Sequence, residues 1–457
     1  MNRNVIMINR NRLKELLDKE LQLFEETHPR SKELFERAKK SLIDGVPMNW
    51  MVKWAGSYPV FVKSGHGAHF TDVDDHRYID FCLGDTGSMT GHAPESAISA
   101  IKERIDNGVT FMLPTEDSVW VGEELSRRFG LPYWQVAISA TDANRFALRL
   151  ARHLTKRKYI LVFNYSYHGT VDEAFITLQD GVPIPRHGNI GPQTDVTQTS
   201  KVVEFNDIEA LEKALAPGDV AAVLAEPAMT NIGIIHPDPG YLEALREITR
   251  RTGTILIYDE THTMSAGPGG YTGTYGLKPD MLTVGKAIGA GIPTAVYGFS
   301  EELAQRIRGT IDIEGADVGG IGGTLAGNAL SMAAMRATLE NVLTAEAYDR
   351  NISLAKRFCD GVESVIKEHN LPWIVKRLGC RTEYWFRDTP PKNGGEAASA
   401  ADYELDRYMH LYALNRGILM TPFHNMALIS SQTTVEDIDR HTKVFRESVE
   451  SLLGARV

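Results

Sequence analysis

Apolar residues near the start of the chain recur three and four positions apart among charges: Leu13, Leu16 and Leu17, then Leu34 and Phe35, with Pro29 between the two groups. Such spacing gathers apolar side chains on one helical face, so residues 12 to 43 are predicted to form two amphipathic helices broken near Pro29. From Tyr58 to Asp80 the rhythm shortens to alternation, FVKSGHGAHFTDVDDHRYIDF, with Gly and Asp-Asp turns. That is the pattern of a small antiparallel meander. Between about 95 and 300, buried-strand runs alternate with helical stretches such as GYLEALREITRRTG. The runs are KYILVFN (158–164), DVAAVLAEP (219–227), TGTILIYDE (252–260), MLTVGK (281–286) and TAVYGF (294–299). Nearly continuous apolar runs separated by helices predict a parallel sheet covered on both faces, an α/β core. Beyond about 330 a long helical stretch leads to RTEYWF, GILMTPFHNMALIS and a closing amphipathic helix from Val435 to Leu453.

These patterns divide the chain into an N-terminal part of helices and meander (1–90), a large α/β domain (91–330) and a C-terminal α+β part (331–457) that packs with the N-terminal pieces. A chain of 457 residues exceeds one hydrophobic core, which agrees with more than one lobe. The composition, 43% hydrophobic and 24% charged, is that of an ordinary soluble protein. With a net charge of −10 and no long basic run, nucleic acid is not an expected partner. The apolar stretch from Val5 to Ile8 is too short for a signal peptide core, and no later window approaches a membrane span, so the cytoplasm is the expected location. Cys82, Cys359 and Cys380 are too few and scattered for a disulfide framework and read as buried small hydrophobes. No CxxC or HExxH spacing is present, and no metal site is expected.

The common phosphate loops fail on inspection. A GxxxxGK[ST] match would need glycine where Asp280 stands and Ser or Thr where Ala287 stands, and GGIGGTLAG and GPGGYTG both miss GxGxxG spacing. No GxSxG elbow occurs either. What stands out is an acid at the end of one buried strand, Asp259 in IYDETHT, and a lysine at the end of another, Lys286 in LTVGKAIGAGIP. In a parallel sheet the carboxyl ends of strands share one rim, where ligands bind. Pyridoxal 5'-phosphate (PLP) chemistry needs this pair: an amine to form an imine, and a carboxylate that keeps the pyridine nitrogen protonated. From spacing alone, a structural ion pair or two solvated loop charges fits equally well.

The ordered set AEPAMTNIGI, IYDETHT, GLKPDMLTVGKAIGAGIP and GGTLAGNAL resembles the class III aminotransferases, especially the branch with glutamate-1-semialdehyde aminomutase and β-amino-acid aminotransferases. The resemblance spans nearly the whole chain. It implies fold type I: a central, mostly parallel sheet with helices on both faces, plus a smaller α+β lobe from the N- and C-terminal segments. It also implies a homodimer with active sites at the interface. Carried over by position, Lys286 would hold PLP as a Schiff base and shuttle the substrate proton, and Asp259 would contact the pyridine nitrogen. Ser139, Ala140 and Thr141 correspond to a Ser-Gly-Thr phosphate loop, with Ala140 in place of glycine and Asp142 in place of glutamate. A plain helix cap explains Ser139 and Thr141 equally well. Tyr167 matches the aromatic stacked on the ring, and Asn231, after Glu226, matches the residue beside the phenolic oxygen. His262 replaces a Gln or Met and could reach that oxygen, Thr261 replaces a Val against the ring, and Thr324 matches the residue that reaches the partner subunit's phosphate.

On the substrate side the resemblance fails. Met51 falls where the aminomutase grips a carboxylate with arginine, Asp85 where relatives place an aromatic, and Asn425 where the aminomutase has a glutamate. A thioether cannot make a bidentate carboxylate contact. Arg381 and Lys53 are substitute anion ligands without an assigned place. The leading expectation is a ping-pong aminotransferase acting on an amine or amino acid and a keto acid or aldehyde. An aminomutase uses the same residues, a lyase or epimerase is the third enzymatic option, and a non-catalytic PLP-fold binding protein is the option outside enzymes.

Overall fold

The computed structural model describes residues 8–310, 320–422 and 424–454. Val5, Ile6 and Met7 of the apolar N-terminal stretch lie outside these. The chain forms two compact units: one of Met1–Pro94, Asp349–Pro390 and Ala400–Val457, the other of Glu95–Tyr348 with Pro391–Ser399.

The second unit is built on a seven-stranded sheet. In chain order its strands are β1 (Tyr133–Ala137), β2 (Tyr159–Phe163), β3 (Ser200–Val203), β4 (Val220–Ala225), β5 (Ile255–Asp259), β6 (Met281–Val284) and β7 (Ala295–Phe299); in space the order is β1-β7-β6-β5-β4-β2-β3. Every residue of β4, β5, β6 and β7 is buried, as their continuous apolar runs require. The core joins Ile160, Val162, Ala222, Leu224, Ile255, Ile257 and Met281 from the sheet to Ala147, Leu150 and Ala151 from the helix Ala140–Thr155. Phe146 and Leu154 of the same helix, partly buried, pack against this cluster. Strands β5 and β6 run parallel, with Asp259 opposite Thr283, so their carboxyl ends reach the same rim.

One strand departs from the predicted parallel pattern: β7 runs antiparallel to both β6 and β1. A parallel return needs a crossover of a dozen or more residues, and the link from Gly285 to Thr294 holds a single short turn, Lys286–Gly289. The short strands β1 and β3 lack a continuous apolar run and were not marked by hydrophobic rhythm.

The first unit contains the two predicted helices, Arg10–Thr27 and Pro29–Ala38, with His28 at the break and Asn9 capping the first. Its meander is Val62–His66, His69–Asp72 and Arg77–Asp80, extended by Ile418–Leu419 running parallel to the last strand. A second sheet pairs Ile374–Leu378, Arg381–Trp385 and Met426–Leu428, and the helix Val435–Leu453 opens with a Thr434/Asp437 capping box. All three cysteines are free; Cys82 and Cys380 are buried as expected, whereas Cys359 is only half-buried. Among the described residues no helix is long and apolar enough to cross a membrane.

Candidate active site

Asp259 closes β5 and Lys286 follows β6, two residues past its end. Lys286 adopts the left-handed backbone region, φ 53°, which is uncommon for a side-chain-bearing residue and recurs at functional sites. Its Nζ lies 2.9 Å from His262 Nε2. Asp259 is 4% exposed, and its carboxylate is enclosed by donors. Asn144 Nδ2 donates to Oδ2 at 2.8 Å, His168 Nδ1 lies 3.0 Å from the same oxygen, and the Thr261 N–H donates to Oδ1 at 3.1 Å. Burial alone would push this carboxyl upward; the hydrogen bond and charge of His168, with the bonds from Thr261 and Asn144, outweigh it and hold Asp259 down at about 2. The adjacent Glu260 shows the contrast. It is equally buried, but with neutral donors such as Thr263 and the Tyr271 N–H around it, burial wins and its pKa is raised.

His168 and Asn144 were not singled out from the sequence. His168 follows Tyr167 in NYSYHG and reads as an isolated structural histidine. A signal for Asn144 did exist: it shares a helical face with Ala143, Ala147 and Leu148, and a polar residue on a buried face needs partners. Its side chain uses both ends, donating to Asp259 and accepting from Thr283 Oγ1 at 2.7 Å, and so ties the helix to β5 and β6.

The helix Ala140–Thr155 begins beside the lysine. Ser139 is its N-cap; its Oγ accepts from the Asp142 N–H at 3.2 Å and donates to Asp142 Oδ2 at 2.9 Å. The cap reading of Ser139 therefore holds, and the same geometry leaves the first-turn amides of Ala140 and Thr141 without intrahelical partners, at the positive end of the helix dipole. Ala140 is itself helical, so glycine's backbone freedom is not needed there. A Cβ placed on Gly285 would lie 3.0 Å from Ala140 Cβ, which sets the residue before Lys286 directly against the helix start. Thr141 Oγ1 accepts the Thr170 N–H at 3.0 Å across Gly169. At Gly169 φ is +75°, and a Cβ would come within 2.1 Å of Thr141 Oγ1. Gly169→Ala should accordingly displace Thr141, costing about 1–3 kcal/mol of stability and weakening anion binding at this helix start. Thermal melts and phosphate-ester titration of the variant check this; unchanged values in both would refute the coupling.

The other assigned residues occupy less uniform positions. Tyr167 is 37% exposed with Phe175 edge-on at 6.4 Å. Glu226 is buried just past β4 and accepts from Thr230 Oγ1, while Asn231 Nδ2 donates to the Tyr165 carbonyl at 3.0 Å. Thr261 and His262 are buried after β5. Thr324 is exposed and follows Gly322 and Gly323, both at positive φ.

The residues assigned to substrate belong to the first unit. Met51 lines an apolar cavity of about 400 Å³ with Trp50, Trp54, Tyr58 and Phe61, and none of the residues lining it is charged. Asp85 lies in a strained turn, where Leu83, Asp85 and Thr86 have φ of 44°, 48° and 85°. Arg381, left unplaced by the sequence, is fully buried; one guanidinium nitrogen donates to Thr86 Oγ1 and another lies 3.9 Å from Asp85 Oδ1. Asn425 is buried too, donating to Asp406 at 2.8 Å and lying 3.1 Å from His410 Nε2. Lys53 is exposed.

Residues 51–446 match the family described as Aminotransferase class-III. A glutamate-1-semialdehyde 2,1-aminomutase 2 from Brevibacillus brevis is 34% identical over 421 residues, 90% of this chain and 96% of the relative. A crystal structure described as a glutamate-1-semialdehyde-aminomutase from Pseudomonas aeruginosa PAO1 is 48% identical, superposes with a TM-score of 0.95, and covers 98% of this chain and 100% of that one. A K286A form of the Pseudomonas aminomutase, described as in complex with PMP, gives 0.96 at 47% identity, with 98% and 100% covered. An omega-transaminase from Sphaerobacter thermophilus is 28% identical with a TM-score of 0.86, covering 93% and 98%.

Proposed function

The chain belongs to the class III aminotransferase family, and from that premise we propose that it moves an amino group between an amine or amino acid and a keto acid or aldehyde in two half-reactions. It is an enzyme of fold type I, and the cofactor of its family is PLP. The residues present fit that cofactor. A carboxylate held ionised in a buried site suits a protonated pyridine nitrogen, and first-turn amides at a capped helix start suit a phosphate. When bound, PLP supplies an electron sink for the substrate carbon. The observation that carries the proposal is the pairing of Lys286 with His262 beside the Asp259 cluster.

In this reading Lys286 would hold the cofactor through its amine and move a proton at the substrate carbon. His262 Nε2, 2.9 Å from the lysine amine, would accept its hydrogen bond and orient it. Asp259 stays ionised because His168 and Asn144 hold it so, and Asn144 fixes the distance between the acid and the phosphate-binding helix. Tyr167 would cover the cofactor ring, and Glu226, Asn231, Thr261 and His262 would line its site.

An aminomutase is the second reading, favoured by the descriptions of the Brevibacillus relative and the Pseudomonas structure. Met51 falls where the aminomutase grips a carboxylate with arginine, and a thioether cannot make that contact, so glutamate-1-semialdehyde is expected to be a poor substrate. Incubating the loaded enzyme with amine donors and either pyruvate or 2-oxoglutarate should release free keto or aldehyde product. Efficient conversion of glutamate-1-semialdehyde with no product released would establish the aminomutase instead.

The active unit in this proposal is a homodimer, with Thr324 donating to the phosphate held by the neighbouring chain. Support comes from the exposure of Thr324 and from the large apolar side chains of the same unit left at its surface, Phe111, Met112, Leu113 and Leu325, which a second copy would cover. Thr324→Ala should weaken PLP binding by about 1–2 kcal/mol, the worth of one charge-assisted hydrogen bond. Sedimentation during PLP titration checks both parts; a fully active monomer, or unchanged affinity in the variant, would count against the shared site. The cytoplasm suits a chain whose three cysteines are all free thiols.

A further inference from the structure

Among the described residues, one cluster of histidine and carboxylate groups converges closely enough to hold a metal ion: His28, Asp72 and His76, with their ligand atoms all within 4.8 Å of one another. It lies in the first unit, where the break between the two N-terminal helices meets the meander. No motif announced it, because His28 is far along the chain from the Asp72 and His76 turn. His28 Nε2 lies 3.6 Å and His76 Nδ1 3.2 Å from Asp72 Oδ2. A tetrahedral ion bonded to nitrogen and oxygen at about 2.0–2.1 Å has ligand-to-ligand edges of about 3.3–3.4 Å, so both separations are close to what it requires.

The remaining polar atoms of His28 and Asp72 are engaged as outer partners of metal ligands usually are. His28 Nδ1 donates to the Phe24 carbonyl at 2.9 Å, which leaves the lone pair on Nε2. Asp72 Oδ1 accepts the N–H groups of Asp74 at 2.9 Å and His76 at 2.8 Å, which turns Oδ2 toward the two imidazoles. The His76 side chain is 38% exposed, which gives an ion a way in and a corner for water. Tyr78 Oη stands 2.7 Å from His28 Nε2 and 2.9 Å from Asp72 Oδ2. The phenol has one proton, which it donates to Asp72 Oδ2, so an ion taking the lone pair on His28 Nε2 leaves that bond in place.

We propose that His28, Asp72 and His76 bind a divalent transition-metal ion of the zinc class, with water completing the shell, and that the ion staples the helix break at His28 to the meander. Two imidazoles and one carboxylate suit zinc, cobalt or nickel rather than magnesium or calcium. The site is structural and separate in its residues from Lys286 and Asp259.

The test uses tag-free, PLP-loaded full-length protein stripped with chelator and titrated with zinc chloride by calorimetry, with thermal melts in parallel. One equivalent should bind saturably and raise the melting temperature. His76→Ala, at the exposed edge of the cluster, should lower zinc affinity by at least about a hundredfold, more than the loss of an outer-shell partner causes. Tyr78→Phe, which removes the competing hydroxyl but no ligand, should retain binding. The absence of one-to-one binding, equal affinity in His76→Ala, or loss of binding in Tyr78→Phe would each overturn the assignment.

Discussion

Replacing Lys286 by alanine is expected to abolish turnover, by about 10⁴-fold, and to remove the visible absorption of the lysine-linked cofactor. The size of the effect follows from one side chain doing two jobs, holding the cofactor and moving the proton. The backbone is arranged around it: Gly285 sits against Ala140 at the start of the helix, and Lys286 itself takes a left-handed φ of 53°. An amine added from solution lacks that placement, so rescue by a small amine should be partial. A variant with unchanged turnover would remove Lys286 from the mechanism.

The second large effect is expected at Asp259. An asparagine there cannot keep a pyridine nitrogen protonated, so turnover should fall by about 10²–10⁴-fold while some cofactor still binds. The substitution also presents an amide N–H₂ to a cage of donors, His168, Asn144 and the Thr261 N–H, at a cost of about 1–3 kcal/mol. The pH dependence has a definite sign. Asp259 titrates at about 2 in the folded chain against an ordinary 3.8, so the stability it contributes is present above pH 3.8 and is lost as pH falls toward 2. The stability gap between the parent and Asp259→Asn should therefore be flat near neutrality and shrink only in strong acid. Melts across that range check it, and a gap that instead closed near neutrality would mean that the ionisation of Asp259 does not set it.

Local pattern carried the sequence reading a long way and failed where partners are distant in the chain. Runs such as TGTILIYDE and MLTVGK are legible because a strand buried on both faces must be apolar throughout, and their ends delivered Asp259 and Lys286. The reversal of β7 was not legible, because orientation depends on the length and shape of the link rather than on the apolar run itself. The cage around Asp259 was half legible: Asn144 betrays itself as a polar residue on a buried helical face, whereas His168 acquires meaning only once β5 is beside it. Arg381 was visible as a cation but not as one enclosed by Asp85 and Thr86, a contact between segments on opposite sides of the large domain's sequence.

The central claim is that Lys286 is the residue that carries the cofactor. Borohydride reduction of the PLP-loaded protein fixes the cofactor to whichever lysine holds it, and peptide mass mapping then locates it. The label should fall on the peptide containing Lys286, in about one equivalent per chain. A label on a different lysine, or none on a fully loaded protein, would contradict the account.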